Sequence, residues 1–106
     1  MPKYLARVSY TNAGLKGLLK DGGSKRREVV EQLAKSLGGT VEAFYFAFGE
    51  DDLFIIADYP DNVSTAAASM IANASGASKV SVTVLLTPEE IDQTVKISGD
   101  YSPPGQ

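Results

Sequence analysis

Two neighbouring β-prone runs, Thr40 to Phe48 and Leu53 to Asp58, carry apolar side chains on both of their faces, and this constrains the fold more than any other feature of the chain. A strand covered on one side only alternates apolar with polar residues. In the first run Val41, Ala43, Tyr45 and Ala47 share one face, while Phe44, Phe46 and Phe48 follow Glu42 on the other. The second sets Leu53, Ile55 and Ala57 against Phe54 and Ile56. The turn residues Gly49-Glu50-Asp51-Asp52 join the two runs as a hairpin. Both surfaces of this hairpin have to be kept from water, which predicts a covering layer on each side.

The segments flanking the hairpin supply one of those layers. Tyr4 to Tyr10 alternates as a strand. Thr11 heads a stretch with Leu15, Leu18 and Leu19 at helical spacing, where Gly14 and Gly17 limit the expectation to one or two turns. A firm helix is predicted from Ser24 to Leu37, with Val29, Val30, Leu33, Ala34 and Leu37 as its apolar stripe and Gly38-Gly39 as its stop. After Pro60, Asp61 or Asn62 caps a second helix whose stripe reads Val63, Ala66, Ala67, Met70, Ile71 and Ala74. Its alanine content predicts a close approach to a sheet. Lys79 to Leu86 is a fourth strand, and Thr87-Pro88-Glu89-Glu90 is the capping-box start of a short last helix.

The order β–α–β–β–α–β predicts an α+β, ferredoxin-like domain: a four-stranded antiparallel sheet with both main helices on one face. The opposite face stays bare, and a bare face rich in Phe and Ile marks an interaction surface. The reading is therefore a homo-oligomer, at least a dimer, unless the terminal helix or tail folds back over that face. The domain is expected to occupy residues 1–97, followed by an extended tail at 98–106 whose Tyr101 and Pro103-Pro104 either dock on a neighbouring subunit or stay mobile.

Composition narrows the chemistry. The net charge of −3 argues against a general nucleic-acid binder. With no Cys and no His, thiolate chemistry, zinc–sulfur sites and the usual neutral-pH base are missing. No run reaches membrane-spanning length, and Met1-Pro2-Lys3-Tyr4 leads directly into a strand without the apolar core of a signal peptide, so no membrane association is expected and a cytoplasmic location is the default.

Four segments together resemble the GYD-domain family: Gly23-Ser24-Lys25-Arg26-Arg27-Glu28, Glu42-Ala43-Phe44-Tyr45-Phe46-Ala47-Phe48-Gly49, Leu86-Thr87-Pro88-Glu89-Glu90-Ile91 and Asp100-Tyr101-Ser102-Pro103-Pro104-Gly105. The resemblance covers nearly the whole chain. It implies a dimeric α+β barrel with no established activity. The element that names the family, Gly-x-Tyr-Asp, here reads Gly49-Glu50-Asp51-Asp52, so Asp51 stands where the family carries tyrosine. Barrels of this type include small monooxygenases, muconolactone isomerase-like enzymes and ligand-sensing domains, and fold alone does not choose between them.

Two groups of residues are candidate sites. Gly22, Gly23, Ser24, Lys25 and Arg26 open the first long helix, where backbone N–H groups and two cations can receive an anion; ion pairing or simple solvation is the alternative. Tyr10, Phe44, Tyr45 and Phe46 form the second candidate, an apolar ligand pocket with a phenol as polar handle, against plain core packing. Asp51, Asp52 and Asp58 read as turn and strand-end chemistry rather than a metal site. No catalytic residue, metal or cofactor is singled out. The functional expectation is a small oligomeric protein that binds a small molecule or an anion without established catalysis. The alternatives are a monooxygenase- or isomerase-like enzyme and a structural assembly protein.

Overall fold

The computed structural model describes residues 1–106. It contains strand β1 (Lys3–Tyr10), helices α1 (Asn12–Asp21) and α2 (Gly23–Ser36), strands β2 (Thr40–Phe46) and β3 (Leu53–Asp58), helix α3 (Asn62–Ala74), strand β4 (Ser78–Leu85) and helix α4 (Pro88–Thr94). The strands form one sheet in the order β2-β3-β1-β4, antiparallel throughout. This is the ferredoxin-like arrangement expected from the element order. No helix is long and apolar enough to cross a membrane.

A helix-facing core is built from alternate residues of each strand. Tyr4 and Val8 of β1 sit beside Leu53, Ile55 and Ala57 of β3, with Tyr59 continuing the same face, and all six are buried. Helix α2 lies over β2 and contributes the fully buried Ala34; α3 lies over β4.

Strand β2 departs from simple alternation. Val41 pairs with Ala57, Ala43 with Ile56 and Phe44 with Ile55, so Glu42 is an extra residue that shifts the register. Such a bulge turns everything after it to the other face. The single face expected for Val41, Ala43 and Tyr45 is therefore corrected. Val41, Phe44 and Phe46 lie on the helix side, and Ala43 and Tyr45 lie on the open side opposite Ile56 and Phe54. Glu42 accepts a 2.8 Å ion pair from Lys3.

Two helices also differ from expectation. Helix α1 runs for 10 residues rather than one or two turns. Thr11 caps it through the Gly14 N–H, and Gly14 is there because a Cβ at that position would collide with the Ala77 carbonyl oxygen. Helix α3 starts at its expected cap, Asp61, but presents the opposite face to the sheet. Thr65 is buried, and Ala68, Ser69 and Ala72 look inward, whereas Val63, Met70 and Ile71 are 79%, 71% and 53% exposed. The small residues give the close approach; the bulky stripe points outward.

The second sheet face is uncovered. Its central rows pair Arg7, Phe54 and Tyr45, then Thr83, Leu5, Ile56 and Ala43. Lys3 binds both Glu42 and Asp58 at the edge of this surface. Helix α4 carries the expected capping box, with Thr87 and Glu90 bonded reciprocally, but it has no extensive packing against the strands or other helices. Ile91, Val95 and Ile97 stay exposed. Residues beyond it form no helix or strand.

Candidate functional site

Because α2 leans over β2 and α3 over β4, the space between them above β1 and β3 is left as a cavity of about 100 Å³. Its floor is Tyr4, Ala6, Val8 and Tyr10 of β1 with Leu53, Ile55 and Ala57 of β3. Val30 and Leu33 of α2 form one wall; Thr65, Ala68, Ser69 and Ala72 of α3 form the other. Among 19 lining residues, 15 are apolar or aromatic and Arg26 alone carries a formal charge.

The polar groups divide into occupied and free. Tyr4 donates its hydroxyl to Asn62 Oδ1 at 2.6 Å and packs edge-on against Tyr59. Thr65 donates to the Asp61 carbonyl, which satisfies the buried hydroxyl within its own helix. The Tyr59 hydroxyl has no side-chain partner, whereas the Tyr10 hydroxyl meets only the Arg26 guanidinium, whose N–H donates to it. Burial pushes the Tyr59 phenol up. Burial also pushes Tyr10 up; the nearby Arg26 guanidinium works against this, and the Asp52 carboxylate adds a smaller upward push. Both phenols thus stay protonated donors through neutral pH. Arg26 forms no ion pair: the three in the chain are Lys3–Glu42, Lys3–Asp58 and Arg7–Asp51.

Of the two candidate groups, one residue from each reaches this cavity. Tyr10 and Arg26 line it together. Phe44 packs against the core, edge-on to Phe46. Phe46 borders a separate shallow hollow with Leu15, Leu18 and Gly23. Tyr45, carried to the open face by the β2 bulge, is 74% exposed. Gly22 is the single residue between α1 and α2 and takes φ 81°, which a side chain would strain. Gly23 lets the Phe46 ring approach, since a Cβ there would lie 2.9 Å from it. Ser24 and Lys25 face solvent.

Tyr59 and Tyr4 were not singled out as cavity residues from the sequence. Strand parity carries the signal: Tyr59 extends the Leu53, Ile55, Ala57 series, and Tyr4 precedes Ala6 and Val8 on the same face. The α3 wall was hidden because its inward residues are small and partly polar.

A family model described as the GYD domain matches residues 4–95. The chain belongs to the GYD-domain family. A search of curated proteins and one of solved structures give no significant match. Within this GYD domain the family's Gly and Asp correspond to Gly49 and Asp52. Asp52 has a positional role: its Oδ2 accepts the Tyr10 N–H at 2.8 Å, and its own N–H donates to the Val8 carbonyl at 2.8 Å. It ties the hairpin turn to the end of β1 at the edge of the cavity. Asp51, in place of the family tyrosine, instead accepts from Ser9 at 3.4 Å and faces Arg7 at 3.9 Å.

Proposed function

We propose that this GYD-domain chain works in the cytoplasm as a homo-oligomer, at least a dimer, that binds a small organic molecule between its sheet and its helices. The cavity carries the binding reading. It is apolar on most of its lining, bordered by the protonated phenols of Tyr10 and Tyr59, and has a half-buried arginine on its wall. A few placed polar groups in an apolar cleft are the usual makings of a ligand site.

Surface area supports the assembly. A monomer of 11.2 kDa is expected to expose about 5,700 Å². This chain exposes 7511 Å². The excess of roughly 1,800 Å² exceeds the ~800 Å² per partner of an ordinary stable interface. Leu5, Phe54, Ile56 and Tyr45 on the open sheet face, and Ile91, Val95 and Ile97 on the C-terminal arm, are the apolar groups that a second copy would cover.

Native mass spectrometry of freshly purified protein tests both parts at once. The expected spectrum shows a dimer or larger species with a small molecule retained. A monomer that neither retains a ligand nor gains thermal stability from small apolar compounds would contradict the reading. The protonated phenols of Tyr10 and Tyr59 also favour a second reading, a small enzyme of the monooxygenase or isomerase type in which they donate hydrogen bonds to substrate.

A further inference from the structure

Arg26 is the one charged group on the cavity wall, and it has no counter-ion. The nearest acidic turn is committed elsewhere. Asp52 is held by the Tyr10 N–H, and Asp51 by Ser9 and Arg7. A guanidinium that is half out of water and lacks a counter-ion raises the value of any anion that can reach it, because a charge-assisted hydrogen bond is about twice as strong as a neutral one. Beside it, the Tyr10 phenol oxygen accepts from the guanidinium, which leaves its own O–H free to donate to a ligand. The rest of the cavity bears no charge and offers a negatively charged group no other counter-ion.

We propose that the ligand is a small apolar monocarboxylate, with its carboxylate at Arg26 and Tyr10 and its hydrocarbon part against Val8, Ile55 and Val30. This inference rests on the binding reading above and adds the charge, polarity and orientation of the ligand. Size sets the rest. A dry cavity of ~150 Å³ accepts benzene. The volume here, about 100 Å³, is smaller and suits a short branched chain rather than an aromatic ring, with the carboxylate at Arg26. A bulky polyanion is excluded on both counts, since the walls are apolar and only one cation is present. Arg26 is thus a specificity residue: it selects acid over the isosteric alcohol or amine. The exposed Lys25 and Arg27 next to it take no part, because neither lines the cavity.

The experiment uses the full chain and three probes of matched shape, isovalerate, 3-methylbutan-1-ol and 3-methylbutylamine, with inorganic phosphate as a control, read by calorimetry and thermal shift. Isovalerate is expected to bind roughly tenfold or more tighter than 3-methylbutan-1-ol, and 3-methylbutylamine weakest of the three. Arg26→Gln should weaken isovalerate binding roughly tenfold and so remove the preference for the acid over the alcohol. Arg26→Lys should restore part of it, because the charge returns without the fork of donors. Lys25→Gln should change nothing.

Equal binding of acid and alcohol, insensitive to Arg26→Gln, would overturn the monocarboxylate assignment while leaving a cavity that binds small molecules. A phosphate response as large as that of isovalerate would also overturn it, by pointing to a surface anion site. Binding of none of the organic probes would remove both this inference and the reading beneath it. The thermal midpoint of each variant without ligand separates loss of binding from loss of fold.

Discussion

Gly14 and Gly17 stand three residues apart in α1 and answer to different constraints. A Cβ on Gly14 would meet the Ala77 carbonyl and the Tyr10 ring, so the helix sits against the start of β4 at backbone distance. Gly17 faces open space. Gly14→Ala is expected to destabilise by about 1–3 kcal/mol through overpacking. Gly17→Ala should stabilise by roughly 0.5–1 kcal/mol through helix propensity. Urea unfolding of the two variants checks the contrast, and equal effects would place α1 differently. Single residues also set the pH range. Tyr10 and Tyr59 have phenols raised above their ordinary 10.0, and Lys3, bonded to Glu42 and Asp58, is raised above 10.5. Groups raised in the folded state contribute fully below their unfolded values and lose that contribution as pH climbs through the folded ones. Asp61 works in the opposite sense: its carboxylate accepts the Ser64 N–H and is lowered below 3.8, so its contribution is present above that value and fades as acid protonates it. Thermal midpoints measured against pH should therefore be level from mildly acidic to mildly alkaline conditions and fall above about pH 10. A midpoint still rising there would contradict the burial of the two phenols.

Helix α3 shows at the element scale where periodicity misleads. Its strongest apolar stripe, Val63 to Ala74 at helical spacing, points away from the sheet, while Thr65, Ala68, Ser69 and Ala72 face it. Periodicity identified a helix and its start at Asp61, but two stripes of comparable width left the choice of face to packing, and β4 accepts only small side chains at that approach. Met70→Lys and Ile71→Lys should each change the unfolding free energy of the isolated domain by less than about 0.5 kcal/mol. A loss of 2 kcal/mol or more in denaturant melts, on the scale of a disrupted core, would return that stripe to the interior. The hairpin was legible in a different way. Strand β3 and the apolar character of both its faces follow from Leu53 to Ala57 alone. The bulge at Glu42 does not, because a single inserted residue leaves composition untouched and reverses every later side chain. That reversal sent Tyr45 to the open face and is the reason the aromatic group Phe44, Tyr45 and Phe46 does not converge on one cavity. The meeting of Tyr10 with Arg26 was equally hidden, since it depends on how α2 lies across the end of β1 and not on either segment's own pattern.

Taken as a whole, the molecule is longer than its sequence length requires. A chain of 106 residues packed into one ball has an expected radius of gyration of about 13 Å. The observed value is 17.0 Å, with extents of 57 × 33 × 23 Å. Helix α4, which has no extensive packing against another element, and the exposed residues after it account for the reach. Ending the chain at Leu86 should leave the unfolding free energy of the single domain within about 1 kcal/mol, because little apolar area is lost from the core, while weakening association between copies; dilution series of both forms would separate the two effects. The central claim is that the uncovered sheet face and this arm are buried by another copy of the chain. Sedimentation equilibrium of the full-length protein at micromolar concentration tests it most directly. The account predicts a mass of at least twice 11.2 kDa, reduced to that of one chain by Phe54→Glu in the open face. A single-chain mass for the unaltered protein across the whole concentration range would contradict it.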